Sequence, residues 1–98
     1  MCILKINNLK TRTKIMDKNL YSIYDKKSGT YMQPFVELTD GTATRQCMDL
    51  LKNPNTPFSK FTEDFTLMRI GSWDELKGEP KAEIPPEFIV ELENLKQE

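Results

Sequence analysis

Ninety-eight residues, 38% hydrophobic and 30% charged with a formal net charge of -1, suffice for one domain with a modest core, slightly on the polar side of ordinary globular composition. The chain has no histidine, which excludes His-assisted nucleophiles, and its two cysteines, Cys2 and Cys47, lack the spacing of a zinc module or a disulfide scaffold. No run approaches the roughly 18 apolar residues of a membrane span, and Met1 to Leu9 is too polar for a signal peptide, so a cytoplasmic protein with free thiols is expected.

The small net charge conceals an uneven distribution. Residues 1 to 31 carry seven basic and two acidic side chains, a balance of +5, and residues 32 to 98 carry -6. Such asymmetry suggests an anionic partner at the basic end. The first eighteen residues mix Ile3, Leu4, Ile6 and Leu9 with lysines and read as a basic N-terminal extension over 1–18, with a short strand at Cys2 to Ile6 as the alternative.

Leu20 to Tyr24 and Thr30 to Val36 are rich in aromatic and β-branched residues, and Asp25-Lys26-Lys27-Ser28-Gly29 between them predicts a hairpin, with Gly29 supplying positive φ. Pro34 has no amide hydrogen, so its part of the second strand should face solvent or carry a bulge. Alternation places Tyr21 and Ile23 on one face and Leu20 and Tyr24 on the other, and only one of these faces can meet a helix.

Thr39 to Thr42 offers caps for a helix that reaches about Lys52 and is stopped by Asn53-Pro54. Ala43, Cys47, Leu50 and Leu51 form its apolar face, and Arg45 and Asp49 on the other side are spaced to pair. Cys47 reads as a small core residue. Residues 53 to 64 read as an ordered loop whose Phe58 and Phe61 close the core. Phe65 to Ile70 alternates as a third strand, and Asp74 to Gly78 is a second turn. Beyond it, Phe88-Ile89-Val90 either adds a short edge strand or opens a final helix with Leu92 and Leu95. The expected fold is α+β, in the order ββαβ, with the helix on one sheet face. The expected divisions are an extension over 1–18, a core domain over 19–78 and an acidic C-terminal segment over 79–98.

Chemistry is sparse along this chain. Glu63-Asp64 and Asp74-Glu75 sit in turns, where solvated acids are expected rather than a general acid/base pair. The four glycines are isolated, so no phosphate-binding loop is present. No enzyme, cofactor or metal site is expected. What remains is an interleaving of aromatics and cations around the hairpin. Single-strand nucleic-acid binders use that combination, with cations on the phosphates and rings under the bases. The candidate nucleic-acid-binding residues are Lys14, Lys18, Tyr21, Tyr24, Lys26, Lys27, Tyr31 and Arg45, and the competing reading assigns the rings to packing. With a net charge of -1, any such binding must use a local patch and weaken steeply with salt.

Three blocks in order, Leu20 to Gly29, Asp40 to Arg45, and Glu63 to Leu67 with Ile70-Gly71-Ser72-Trp73-Asp74, resemble the small nonstructural protein of gokushoviruses. These are single-stranded DNA phages of the Microviridae, and the protein is usually labelled DNA-binding. The likeness covers about residues 19 to 78, and members of that family often start where Met16 stands here. It implies a protein of the infected bacterium's cytoplasm, absent from the virion, that binds single-stranded DNA and assists genome replication or single-strand synthesis. The alternative is an adaptor that engages phage or host replication proteins without touching DNA. An exposed hairpin edge also suits pairing with a second copy, so a homodimer is expected.

Overall fold

The computed structural model describes residues 17–96. Within them an antiparallel sheet is formed by β1 (Asp17–Asp25), β2 (Thr30–Tyr31), β3 (Phe35–Glu37), β4 (Phe65–Asp74) and β5 (Glu79–Glu91). Strands β2 and β3 lie end to end along one side of β1, β4 lies on its other side, and β5 completes the sheet beyond β4. The main helix α1 (Asp40–Leu51) and the one-turn α2 (Pro57–Lys60) fall between β3 and β4. The α+β class and the helix on one face agree with expectation. The strand order does not, because three strands precede the helices and two follow.

Both hairpin turns are built alike from local chemistry. Asp25 Oδ1 accepts from the amide of Lys27 at 2.9 Å, and Asp74 Oδ1 accepts from that of Leu76 at 3.0 Å. Four residues after each aspartate a glycine takes positive φ, 71° at Gly29 and 67° at Gly78, and its amide returns to the aspartate carbonyl. The expected second strand is interrupted over Met32 to Pro34, where proline cannot donate to a ladder.

Helix α1 starts at a reciprocal cap: Thr39 Oγ1 accepts from the Thr42 amide at 3.1 Å, and Thr42 Oγ1 accepts from the Thr39 amide at 3.2 Å. Its buried Ala43 and Cys47 pack on Tyr21, Ile23, Phe65, Leu67 and Leu92 to form the core. Burial pushes the Cys47 thiol up to about 11, in keeping with a packing role. Asp49 pairs with Lys52 at 3.3 Å rather than with Arg45. Phe58, on α2, packs against the Phe65 ring at 4.9 Å as expected, whereas Phe61 is 52% exposed and closes nothing.

The largest departure lies after Gly78. The segment expected as an acidic tail is a 13-residue strand paired along β4, followed by a 3-10 turn, Leu92–Leu95, whose Leu92 is fully buried. Sheet and core therefore extend through residue 95. Of the two alternatives for the C-terminus, both a strand and a short helical turn form, one after the other. Two irregularities shape β4 and β5: Ile70 is an extra residue against β1, and β5 bulges at Ile89 and again over Glu83 to Pro86, where the Ile84–Pro85 peptide is cis.

Candidate functional site

Register decides which side chains share a face. Tyr21, Ile23, Phe65 and Leu67 lie under α1, so their alternates Leu20, Ser22 and Tyr24 on β1, with Thr66 and Met68 on β4, point to the opposite face. Val36, Tyr31, Phe88 and Glu91 join them through cross-strand pairing. No described element covers this face. Tyr31 is 44% and Phe88 55% exposed, while the small Ser22 and Thr66 are buried between larger neighbours.

At the hairpin end, the Tyr24 and Tyr31 rings lie opposite each other with centroids 4.7 Å apart. Beside them Lys26 Nζ donates to Glu91 Oε1 at 2.9 Å, and Thr66 Oγ1 donates to the same oxygen at 3.1 Å. Lys27, exposed on the turn, has no ion partner among the described residues. The far end of the same face holds Trp73, in register with Lys18 on one side and Pro80 on the other. Lys18 Nζ is 3.3 Å from Glu75. Lys18 and Tyr24 stand six positions apart along β1, so the face offers a track of about 20 Å with an aromatic group and a lysine at each end.

Trp73, Met68 and Phe88 were not found by sequence reasoning. Without the extra residue at Ile70, alternation from Phe65, Leu67 and Arg69 would turn Trp73 toward the helix, and the bulge reverses it. A bulge leaves no signal in hydrophobic pattern that a reader could use.

Tyr21 leaves the candidate set. It is fully buried, its ring is 5.9 Å from Phe35, and its hydroxyl donates to Asp40 Oδ1 at 2.5 Å while accepting from Asn19 at 3.0 Å. Asp40 opens α1 and also receives Arg69, whose Nη1 donates to both carboxylate oxygens at 3.0–3.1 Å. The rest of the guanidinium fork grips Glu83, Nε at 2.9 Å and Nη2 at 3.2 Å, so one arginine ties β4 to the helix start and to the bulge of β5. The hydrogen bond to Glu83 raises the affinity of Arg69 for its proton further, with a smaller contribution from Asp40.

Burial, and then the bond to Asp40, push Tyr21 up to about 12 from 10.0. A raised folded value means the native state holds the proton longer than the unfolded one. Its contribution to stability is therefore complete below pH 10 and is lost as pH rises toward about 12. Tyr21→Phe should flatten the alkaline fall in stability seen in denaturant titrations over that window. An unchanged fall would refute the assignment.

The remaining candidates are scattered. Lys14 lies outside the described residues. Arg45 is exposed on α1, two positions from both Ala43 and Cys47, and points away from the sheet. The structure thus brings together Tyr24, Tyr31, Lys26 and Lys27, keeps Lys18 on the same face, and separates Arg45 and Tyr21 from them.

A second feature lies at the open edge beside α1. Phe35, Val36 and Glu37 of β3, with Gln46, Cys47 and Leu50 of α1, line a mostly apolar groove of about 310 Å³. Among the described residues no three metal-ligating side chains converge, and no helix is long and apolar enough to cross a membrane.

No curated protein and no solved structure matches the chain. A family model described as Phage ORF5 protein matches residues 18–95, nearly the whole described fold, and the chain belongs to the Phage ORF5 protein family.

Proposed function

We propose that this phage protein binds single-stranded DNA on the helix-free face of its sheet and assists genome replication without catalysis. The observation that carries the reading is the Tyr24–Tyr31 pair on an uncovered face, next to Lys26 and Lys27. Aromatic faces accept any base, at about 1–3 kcal/mol per stacked base, while lysines meet the phosphates. Trp73 and Lys18 extend the same scheme to the other end of β1. The resemblance to the gokushovirus nonstructural protein points the same way, to the cytoplasm of an infected bacterium and a role outside the virion. The absence of histidine and of any phosphate-binding glycine loop favours binding over chemistry.

Fluorescence anisotropy with a labelled oligonucleotide tests this directly. Tyr24→Ala with Tyr31→Ala should weaken binding by roughly 2–4 kcal/mol at constant salt, and Lys26→Ala with Lys27→Ala should weaken it most at low salt. No binding at low salt, or binding indifferent to both pairs, sinks the site. Glu91 already occupies Lys26, so Glu91→Gln should tighten binding by freeing that ammonium group.

The groove between β3 and α1 favours a second reading, an adaptor that takes an extended peptide from a replication protein or from a second copy of this chain along the open edge. Leu50→Lys, on the helix side of the groove, should then abolish partner capture from infected-cell lysate, or dimerisation measured by light scattering, and leave oligonucleotide binding intact. Capture and dimerisation that both survive would dismiss the groove.

A further inference from the structure

A hollow of about 470 Å³ opens at the end of α1, lined by Leu51, Lys52, Pro54, Ser59, Lys60, Thr62 and Lys96. Every charged side chain in that lining is a lysine. Two exposed carboxylates outside that lining pair with two of the lysines, Asp49 with Lys52 at 3.3 Å and Glu93 with Lys96 at 3.6 Å. Lys60 has no ion partner among the described residues. The hydroxyls are already committed, since Ser59 donates to the Asn53 carbonyl at 2.6 Å and Thr62 donates to Glu93. That bond, before the weaker pull of Lys96, holds the Glu93 carboxyl below its ordinary value. An occupant of this hollow must therefore be recognised by ammonium groups and must bring its own acceptor oxygens.

The hollow is next to the hairpin. The Lys26 amide donates to the Asp64 carbonyl at 2.8 Å, which docks the lysine turn on the 3-10 turn Thr62–Asp64 that supplies Thr62 to the wall. Glu91, the partner of Lys26, immediately precedes the 3-10 turn that leads to Lys96. Lysines 26, 27, 60 and 96 thus follow one another around a single end of the molecule, from the tyrosine pair to the hollow. We infer that the hollow is a phosphodiester anchor, in which Lys52, Lys60 and Lys96 hold the backbone of the DNA strand that leaves the Tyr24–Tyr31 pair. This inference rests on the proposed single-strand binding for the identity of its ligand.

Two measurements on the full chain separate the anchor from the platform. The first is an amide NMR titration with an abasic oligomer of deoxyribose phosphates, which offers backbone without bases. Shifts at Ser59, Lys60, Thr62 and Lys96 are expected, also in the Tyr24→Ala, Tyr31→Ala double variant, and their absence overturns the anchor. The second is the salt dependence of binding to an ordinary oligonucleotide. The exposed changes Lys60→Ala and Lys96→Ala together should lower the slope of log affinity against log salt by about 1.4, at about 0.7 per single-strand phosphate contact. A slope unchanged in that variant overturns the anchor while the tyrosine platform stands. Ordinary oligonucleotide bound no more tightly than the abasic oligomer overturns the platform and leaves the anchor.

Discussion

A chain that ends at Gly78 is expected to lose cooperative unfolding altogether. The cut removes β5 along the whole of β4 and takes Leu92, together with Ile89, Val90 and Leu95, out of contact with the core. Loss of one fully buried leucine costs about 2–5 kcal/mol, and three partly buried neighbours add several more. The stability of a domain of this size is of the order of 5–10 kcal/mol, so the deletion consumes it. Arg69 would also lose Glu83, Lys26 would lose Glu91, and β4 would become a bare edge. Thermal melting by circular dichroism should show no sigmoidal transition. A retained cooperative melt would mean that residues 19–78 do form a self-sufficient unit. Removal of residues 79–98 therefore destroys the fold and does not trim a dispensable tail.

Gly71→Ala is expected to be the most damaging conservative substitution in the sheet. A Cβ at that position would lie 2.1 Å from the Lys81 carbonyl oxygen and 3.1 Å from its carbon, both backbone atoms, so β4 and β5 must part to admit it. Overpacking of this kind costs about 2–3 kcal/mol, or roughly 10–20 °C in Tm for a domain this small. Gly78→Ala supplies the control. Nothing lies within 4 Å of a Cβ there, and the cost is only that of a side chain at φ 67°, about 1 kcal/mol. Equal losses in the two variants would show that the close approach of β4 to β5 is not what requires glycine at 71.

The contrast between these glycines mirrors what could be read from the sequence. The turn at Gly29, the Thr39 cap and the stop after Lys52 are local, set by a few adjacent residues, and were legible. So was the alternation that separates Tyr21 from Tyr24. Which of the two faces the helix covers was not, because it depends on Asp40 reaching both Tyr21 and Arg69 from nineteen and twenty-nine positions away. Strand β5 was hidden by Pro80, Pro85 and Pro86, residues that argue against a strand in the middle of a sheet but are tolerated at its edge. The hairpin lysines and tyrosines stood out by type. Trp73 could not be placed, since a single extra residue at Ile70 reverses every orientation after it.

The position of β1 has a consequence for biosynthesis. It is the first strand described and one of the two inner strands of the sheet, yet its partner β4 begins forty positions after β1 ends, with Asp25 paired to Phe65. While the chain is being translated, β1 can zip only to the short β2 and β3. Its other edge stays open until β4 has left the ribosome, and Leu92, which seals the core, emerges only after every strand. The sheet therefore closes late, through contacts of high sequence separation that form slowly. Nascent chains stalled before residue 92 should remain protease-sensitive throughout.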